Sequence, residues 1–300
     1  MTRASSGLAR MQGTLVIGLA IAAIAWLFSW WDTQPIFALV GAASILFAHA
    51  WVLAAEFVMV TRVNAADPAP RPTAGQLLRA WFLETIDDVR VFGWRQPFAW
   101  RDEPDLLQGA EGRRGIVFIH GFICNRGFWR PWLREARSRG HPFIAVNLEP
   151  VFASIDDYAG TVEEAVARIT QATGKPPLLV CHSMGGLVAR AWLRHSDGGE
   201  RAAHIVTIGS PHHGTWIARA SRLPNGRQMK VGGDWLLGLG PPQRPSAFTC
   251  WYSNCDNVVF PASTATLRGA DNRLLPGAGH IDLAFRPEVL AHTFDLVAAL

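Results

Sequence analysis

The sequence predicts an α/β domain, a mostly parallel sheet with helices on both faces, preceded by a two-helix transmembrane hairpin. Three observations lead there. Two apolar runs without Lys, Arg, Asp or Glu open the chain, between Arg10 and Asp32 and between Asp32 and Glu56. From about Arg113, short apolar runs alternate with segments of helical periodicity. Strands that are apolar throughout, rather than at alternate positions, belong to a sheet covered on both sides. Finally, "LLVCHSMGGLVAR" (Leu178 to Arg190) is an apolar run that stops at a serine, then two glycines, then helix-forming residues.

The first apolar run has the core "LVIGLAIAAIAWLFSWW", and the second holds only His49 as a titratable group. Each approaches the ~20 residues a helix needs to cross a bilayer. A cleaved signal peptide has a shorter apolar core and no second span behind it. Trp30, Trp31 and Trp51 suit interfacial belts, and "WDTQP" makes the tight turn. Arg3 and Arg10 precede the first span, Arg62, Arg71 and Arg79 follow the second, and the turn carries Asp32 with no basic residue. Both ends are therefore expected in the cytoplasm, with the chain held in a bacterial inner membrane. Cys124, Cys181, Cys250 and Cys255 would then sit in a reducing compartment. They show no C-x-x-C spacing, which argues against a zinc knuckle, and Cys250 and Cys255 would bridge only with the topology reversed. The net charge of +4 is spread over scattered arginines without a basic block, so nucleic acid is not an expected partner.

Residues 1–62 thus form the anchor. Residues 63–112 are a linker, "NAADPAPRPTAG", and an amphipathic helix, "QLLRAWFLETIDDVRVF", expected to pack on the domain that follows. In residues 113–300 the expected strands are "GIVFIH", "PFIAVNL", "PPLLVCH", "AHIVTIGS", "AFTCWYS" and a weaker "NRLLPGA". Helices are expected in "RGFWRPWLREARSRG", "IDDYAGTVEEAVARITQATG", "GGLVARAWLRH" and "PEVLAHTFDLVAAL".

In open parallel sheets, sites form beyond the carboxyl ends of the strands. Ser183 lies there, and the turn into the following helix is tight enough to demand small neighbours, hence Gly185 and Gly186. The first small position of G-x-S-x-G is Cys181 here. A serine hydroxyl is a weak nucleophile that needs a base, itself oriented by an acid. Downstream, Asp256 follows the fifth strand in "CDNVVFP" and His280 follows the last in "GAGH". Asp271 is the rival acid, but it precedes the last strand and falls on the opposite edge of the sheet. Asp282 is too close to His280 in sequence to reach the far ring nitrogen. Gly121 and Phe122 end the first strand, so the backbone N–H groups of Phe122 and Met184 are the expected oxyanion donors.

"FIHGF", "CHSMGG", "IGSPHHGT", "CDNVVFP" and "GAGH" together resemble the bacterial lipases and esterases of the α/β-hydrolase superfamily, over about Arg113 to Leu300. The resemblance implies the α/β-hydrolase fold and ester hydrolysis through an acyl-enzyme without a cofactor. It implies Ser183, Asp256 and His280 as the catalytic triad, and a cap or lid in the irregular segment around 215–245. Trp216, Ile217, Trp235, Leu236 and Leu237 are then candidates for an acyl pocket or for plain packing. His212 and His213 read as structural or cleft-lining, since a metal would need further ligands. An anchor beside an apolar cleft favours a hydrophobic, lipid-like ester. Alternatives are an acyltransferase or thioesterase on the same fold, or a membrane-tethered binding protein.

Overall fold

A computed structural model describes residues 6–195 and 200–300. Its centre is a sheet of β1 (Ile116–Ile119), β2 (Phe143–Ala145), β3 (Leu178–His182), β4 (His204–Ile208), β5 (Phe248–Tyr252) and β6 (Asp271–Leu274). All pairings are parallel, in the order β2-β1-β3-β4-β5-β6. The chain winds outward from β1 to β2, returns past β1 to β3, and then winds the other way. That reversal opens a crevice between the carboxyl ends of β1 and β3. Alternate strand residues serve two cores. Val117, Ile119, Leu179 and Cys181 pack with helices Ala159–Thr173 and Met184–His195. Ile116, Phe118, Leu178 and Val180 pack with Trp129, Trp132 and Phe294 on the other face. The weak sixth run forms the edge strand, with Asp271 and Asn272 exposed.

The amino-terminal helix α1 (Gly7–Trp30) is long and apolar, with Leu15, Ile21, Ile24 and Phe28 exposed along it. It pairs with α2 (Pro35–Leu46) through a turn closed by Gln34 N–H on the Trp30 carbonyl at 2.8 Å. Trp26 lies over Gly41, where a Cβ would collide with the indole, so the two helices approach closely. The second apolar run, expected as one span, is bent. It breaks at Phe47, and α3 (Ala48–Val63) leaves at 62°. The partners of α3 explain the break. Trp81 Nε1 donates to the Ala50 carbonyl at 2.9 Å, and Leu53 and Phe57 are buried with Ala80 and Cys255.

Helix α4 (Ala74–Arg90) starts in a capping box made by Thr73 and Gln76 and packs against α3. It meets the domain as expected, but with acids: Glu84 and Asp87 are buried. Leu78 and Phe82 remain 66% and 58% exposed, and Val89 also faces out. The connecting segment is pinned to the loops after β5. Asn64 bonds the Asn254 carbonyl and the Ala262 N–H, and Asp67 accepts from Ser263 N–H.

Candidate active site

Ser183 stands between β3 and the helix Met184–His195 with φ 55°, a left-handed backbone that non-glycine residues adopt at a cost. The turn is as crowded as its sequence suggests. A Cβ on Gly185 would strike the Ile119 carbonyl, and one on Gly186 would strike the Ser210 hydroxyl. A Cβ on Gly121 would come within 2.7 Å of the Ser183 Cβ, so the loop after β1 lies directly against the serine. Among the described residues the only other non-glycine with positive φ is Ile123, at 52°, in that same loop. Backbone strain therefore concentrates around one hydroxyl. No backbone hydrogen bond among the described residues engages the N–H of Phe122 or of Met184.

Asp256 and His280 meet as expected from the sequence. The Asp256 Oδ2 lies 3.0 Å from His280 Nδ1, and both residues are buried. Its Oδ1 accepts the N–H groups of Val258 and Val259 at 2.9 and 2.7 Å. Gly209, with φ 56°, leaves room for the pair: a Cβ there would lie 3.0 Å from Asp256 Oδ2. Asp271 is exposed at the start of β6 and pairs with Arg273. Asp282 pairs with Arg286 at 2.7 Å.

Ser183 and His280 line one cavity of about 320 Å³ together with Gly121, Phe122 and Ile123. Part of its remaining wall comes from the amino-terminal helices. Among the described residues, Leu53 and Glu56 of α3, Glu84 and Asp88 of α4, and Phe92 line it beside Cys124, His182, Asn257, Val258 and Ile281, and none comes from 215–245. Trp216, Ile217, Trp235, Leu236 and Leu237 do not reach this cavity. Leu236 is buried in the core, Trp235 Nε1 donates to Asp156, and Trp216 stacks on Phe260. Burial, reinforced by the charge of Glu56, pushes the Asp88 carboxyl up to about 7 against the pull of His280.

Two histidines beside the site are structural. His120 Nε2 accepts the Leu148 N–H at 3.0 Å, which leaves Nδ1–H to donate to the Gly121 carbonyl at 2.9 Å. Burial lowers its pKa to about 4, so it stays neutral while it shapes the loop after β1. His182 stacks on Phe128, and its Nε2 lies 3.1 Å from the His280 carbonyl. Burial, then the neighbouring His280, holds His182 well below the usual range. His212 is buried within hydrogen-bond distance of Thr207, in line with its structural reading.

A six-stranded parallel sheet, a strained serine turn at its switch point and a paired Asp and His beyond later strands make up the α/β-hydrolase fold. The model of the alpha/beta hydrolase family matches residues 116–250, within the parallel-sheet domain. Lipase B of Aspergillus fumigatus is similar in structure at a TM-score of 0.59 and 16% identity, over 98% of this chain and 81% of that one. The mature lipase BlEst2 of Bacillus licheniformis is similar at 0.54 and 16% identity, over 62% of this chain and 92% of that one. At such identities the likeness shows the fold.

Proposed function

We propose that this chain is a membrane-anchored serine hydrolase that cleaves hydrophobic, lipid-like carboxylic esters through an acyl-enzyme. One observation carries the reading: Ser183, in its strained turn, shares a cavity with His280, whose Nδ1 is paired with Asp256. Asp256 keeps the proton on Nδ1, so Nε2 is free to take the Ser183 proton as the hydroxyl attacks the ester carbonyl. The N–H groups of Phe122 and Met184 receive the oxyanion, and His280 returns the proton to the leaving alcohol. Water, activated by the same nitrogen, then releases the acid and restores the serine.

Three features favour an apolar substrate. The cavity walls include Leu53, Phe92, Phe122, Ile123, Val258 and Ile281. Helices α1 and α2 expose apolar side chains along their length, and α4 exposes Leu78, Phe82 and Val89. With α1 and α2 in the bilayer, α4 supplies an apolar outer face for the membrane surface, and the cavity lies between α3, α4 and the sheet. The distribution of arginines puts this domain on the cytoplasmic side.

The test is Ser183→Ala in the full-length protein in detergent micelles, with p-nitrophenyl esters and a fluorophosphonate probe. The variant should fold, bind apolar esters, and lose both turnover and labelling. Undiminished esterase activity in folded Ser183→Ala protein would overturn the serine-hydrolase reading.

A further inference from the structure

We infer that Glu56 and Glu84, carried by the amino-terminal helices rather than by the α/β domain, are positioning residues for His280. The inference rests on the hydrolase reading above.

His280 is the first residue of a short helix, His280–Ala284. Asp256 fixes its ring, but a ring is only as well placed as its backbone. The His280 N–H donates to Asn257 Oδ1 at 3.1 Å. Because that oxygen faces the N–H, the Asn257 amide NH₂ must point the other way. It donates there to Glu56 Oε2 at 2.8 Å. The next two N–H groups, of Ile281 and Asp282, donate to Glu84 Oε1 and Oε2 at 2.8 and 3.0 Å. Two neighbouring donors aimed at two oxygens need a side chain that only accepts, which a carboxylate is and an amide is not.

The cost of this arrangement shows that it is specific. Glu84 is 1% exposed, and no ion pair among the described residues includes it. A buried carboxylate without a cation is expensive, and burial pushes its pKa well up while the two N–H groups pull it down. Gly279 is cut to fit it: a Cβ there would collide with the Glu84 carboxyl. The glycine before the histidine in "GAGH" thus makes room for a residue 195 positions earlier in the chain. Asn257 to Glu56 and Ile281–Asp282 to Glu84 form two independent ties between the loop of the base and the helices that roof the cavity.

The test uses full-length protein in micelles with p-nitrophenyl butyrate. Glu84→Gln turns an NH₂ toward one of the two N–H groups, and misplacing the base should lower kcat roughly 10²-fold. KM should stay within about threefold, because the apolar walls are untouched. Glu56→Leu should lower kcat about tenfold, and Glu56→Gln, whose amide oxygen can accept from Asn257, should restore most of it. Fluorophosphonate labelling should slow in step with kcat. Activity in Ser183→Ala would reject the hydrolase reading itself. A dead Ser183→Ala beside Glu84→Gln and Glu56→Leu proteins whose kcat lies within about threefold of wild type would overturn the positioning inference alone. If Glu84→Gln fails to fold, the Leu and Gln variants at Glu56 decide by the same criterion.

Discussion

Replacing Asp256 by Asn keeps the shape of the side chain and removes one acceptor oxygen. Two orientations of the new amide compete. In the first, its oxygen stays on the N–H groups of Val258 and Val259, now held at 2.9 and 2.7 Å, and its NH₂ faces His280 Nδ1. His280 must then accept at Nδ1 and carry its proton on Nε2, where it cannot take the Ser183 proton. In the second orientation the oxygen serves His280, but the NH₂ confronts the buried Val259 N–H and the part-buried Val258 N–H. Leaving those two unsatisfied costs roughly 1–3 kcal/mol each, so the first orientation dominates by about 30-fold to more than 10⁴-fold. The expected loss in kcat is of that size, comparable with the ~10⁴-fold penalty of the same exchange in a characterised serine hydrolase. Esterase kinetics on folded protein, with Asp271→Asn as the control, provide the assay. Asp271→Asn should cost little, because Asp271 lies exposed at the start of β6 and away from His280. An Asp256→Asn protein that turns over within about tenfold of wild type would refute the tautomer argument, since even the lower bound exceeds that.

The Asp88 carboxyl, raised from 3.8 to about 7 by burial and by Glu56, makes stability depend on pH. A raised carboxyl carries no penalty below its unfolded value and a growing one as pH climbs through the folded value, here from about 4 to about 7. The full penalty is at most about 4 kcal/mol, and partial solvent access reduces it. Asp88→Asn should therefore raise the thermal midpoint, followed by tryptophan fluorescence in micelles, near pH 8 and leave it unchanged near pH 4; the same offset at both would reject this account. For topology, a carboxyl-terminal reporter active only in the periplasm should remain silent, and a strong signal would reverse the proposed orientation.

The sheet and the serine turn are legible in the sequence because each is dictated locally. A strand buried on both faces has no polar alternation, so β1 and β3 up to Cys181 stand out as unbroken apolar runs. The glycines after Ser183 are demanded by the Ile119 carbonyl and the Ser210 hydroxyl, which crowd the turn. The order of Asp256 and His280 along the chain, each just past a strand, sufficed to choose between Asp256 and Asp271. What surrounds His280 is not local. Glu84 reaches N–H groups 197 and 198 positions away, and no spacing rule announces that. A signal was nonetheless present: Glu84, Asp87 and Asp88 share one face of α4 at i, i+3 and i+4, while Leu78, Phe82 and Val89 lie outside it. Amphipathic periodicity says that a helix has two faces, not which of them meets the protein. Here the acidic face does, because the helix carrying His280 offers it unpaired N–H donors.

The bend at Phe47 follows from the same residues. Neither proline nor glycine marks it, and a window that counts apolar side chains runs straight through to Glu56. With α1 and α2 in the bilayer as proposed, a straight continuation would carry Glu56 along a lipid-facing helix, where a charge at bilayer depth costs roughly 2.5–3.5 kcal/mol. Turning by 62° gives that carboxylate the Asn257 amide as a partner. It also trades lipid contacts of Leu53 and Phe57 for equally apolar ones on Ala80 and Cys255, at little hydrophobic cost. The carboxylate that makes a straight span unfavourable is thus the one whose hydrogen bond ties α3 to the loop of His280.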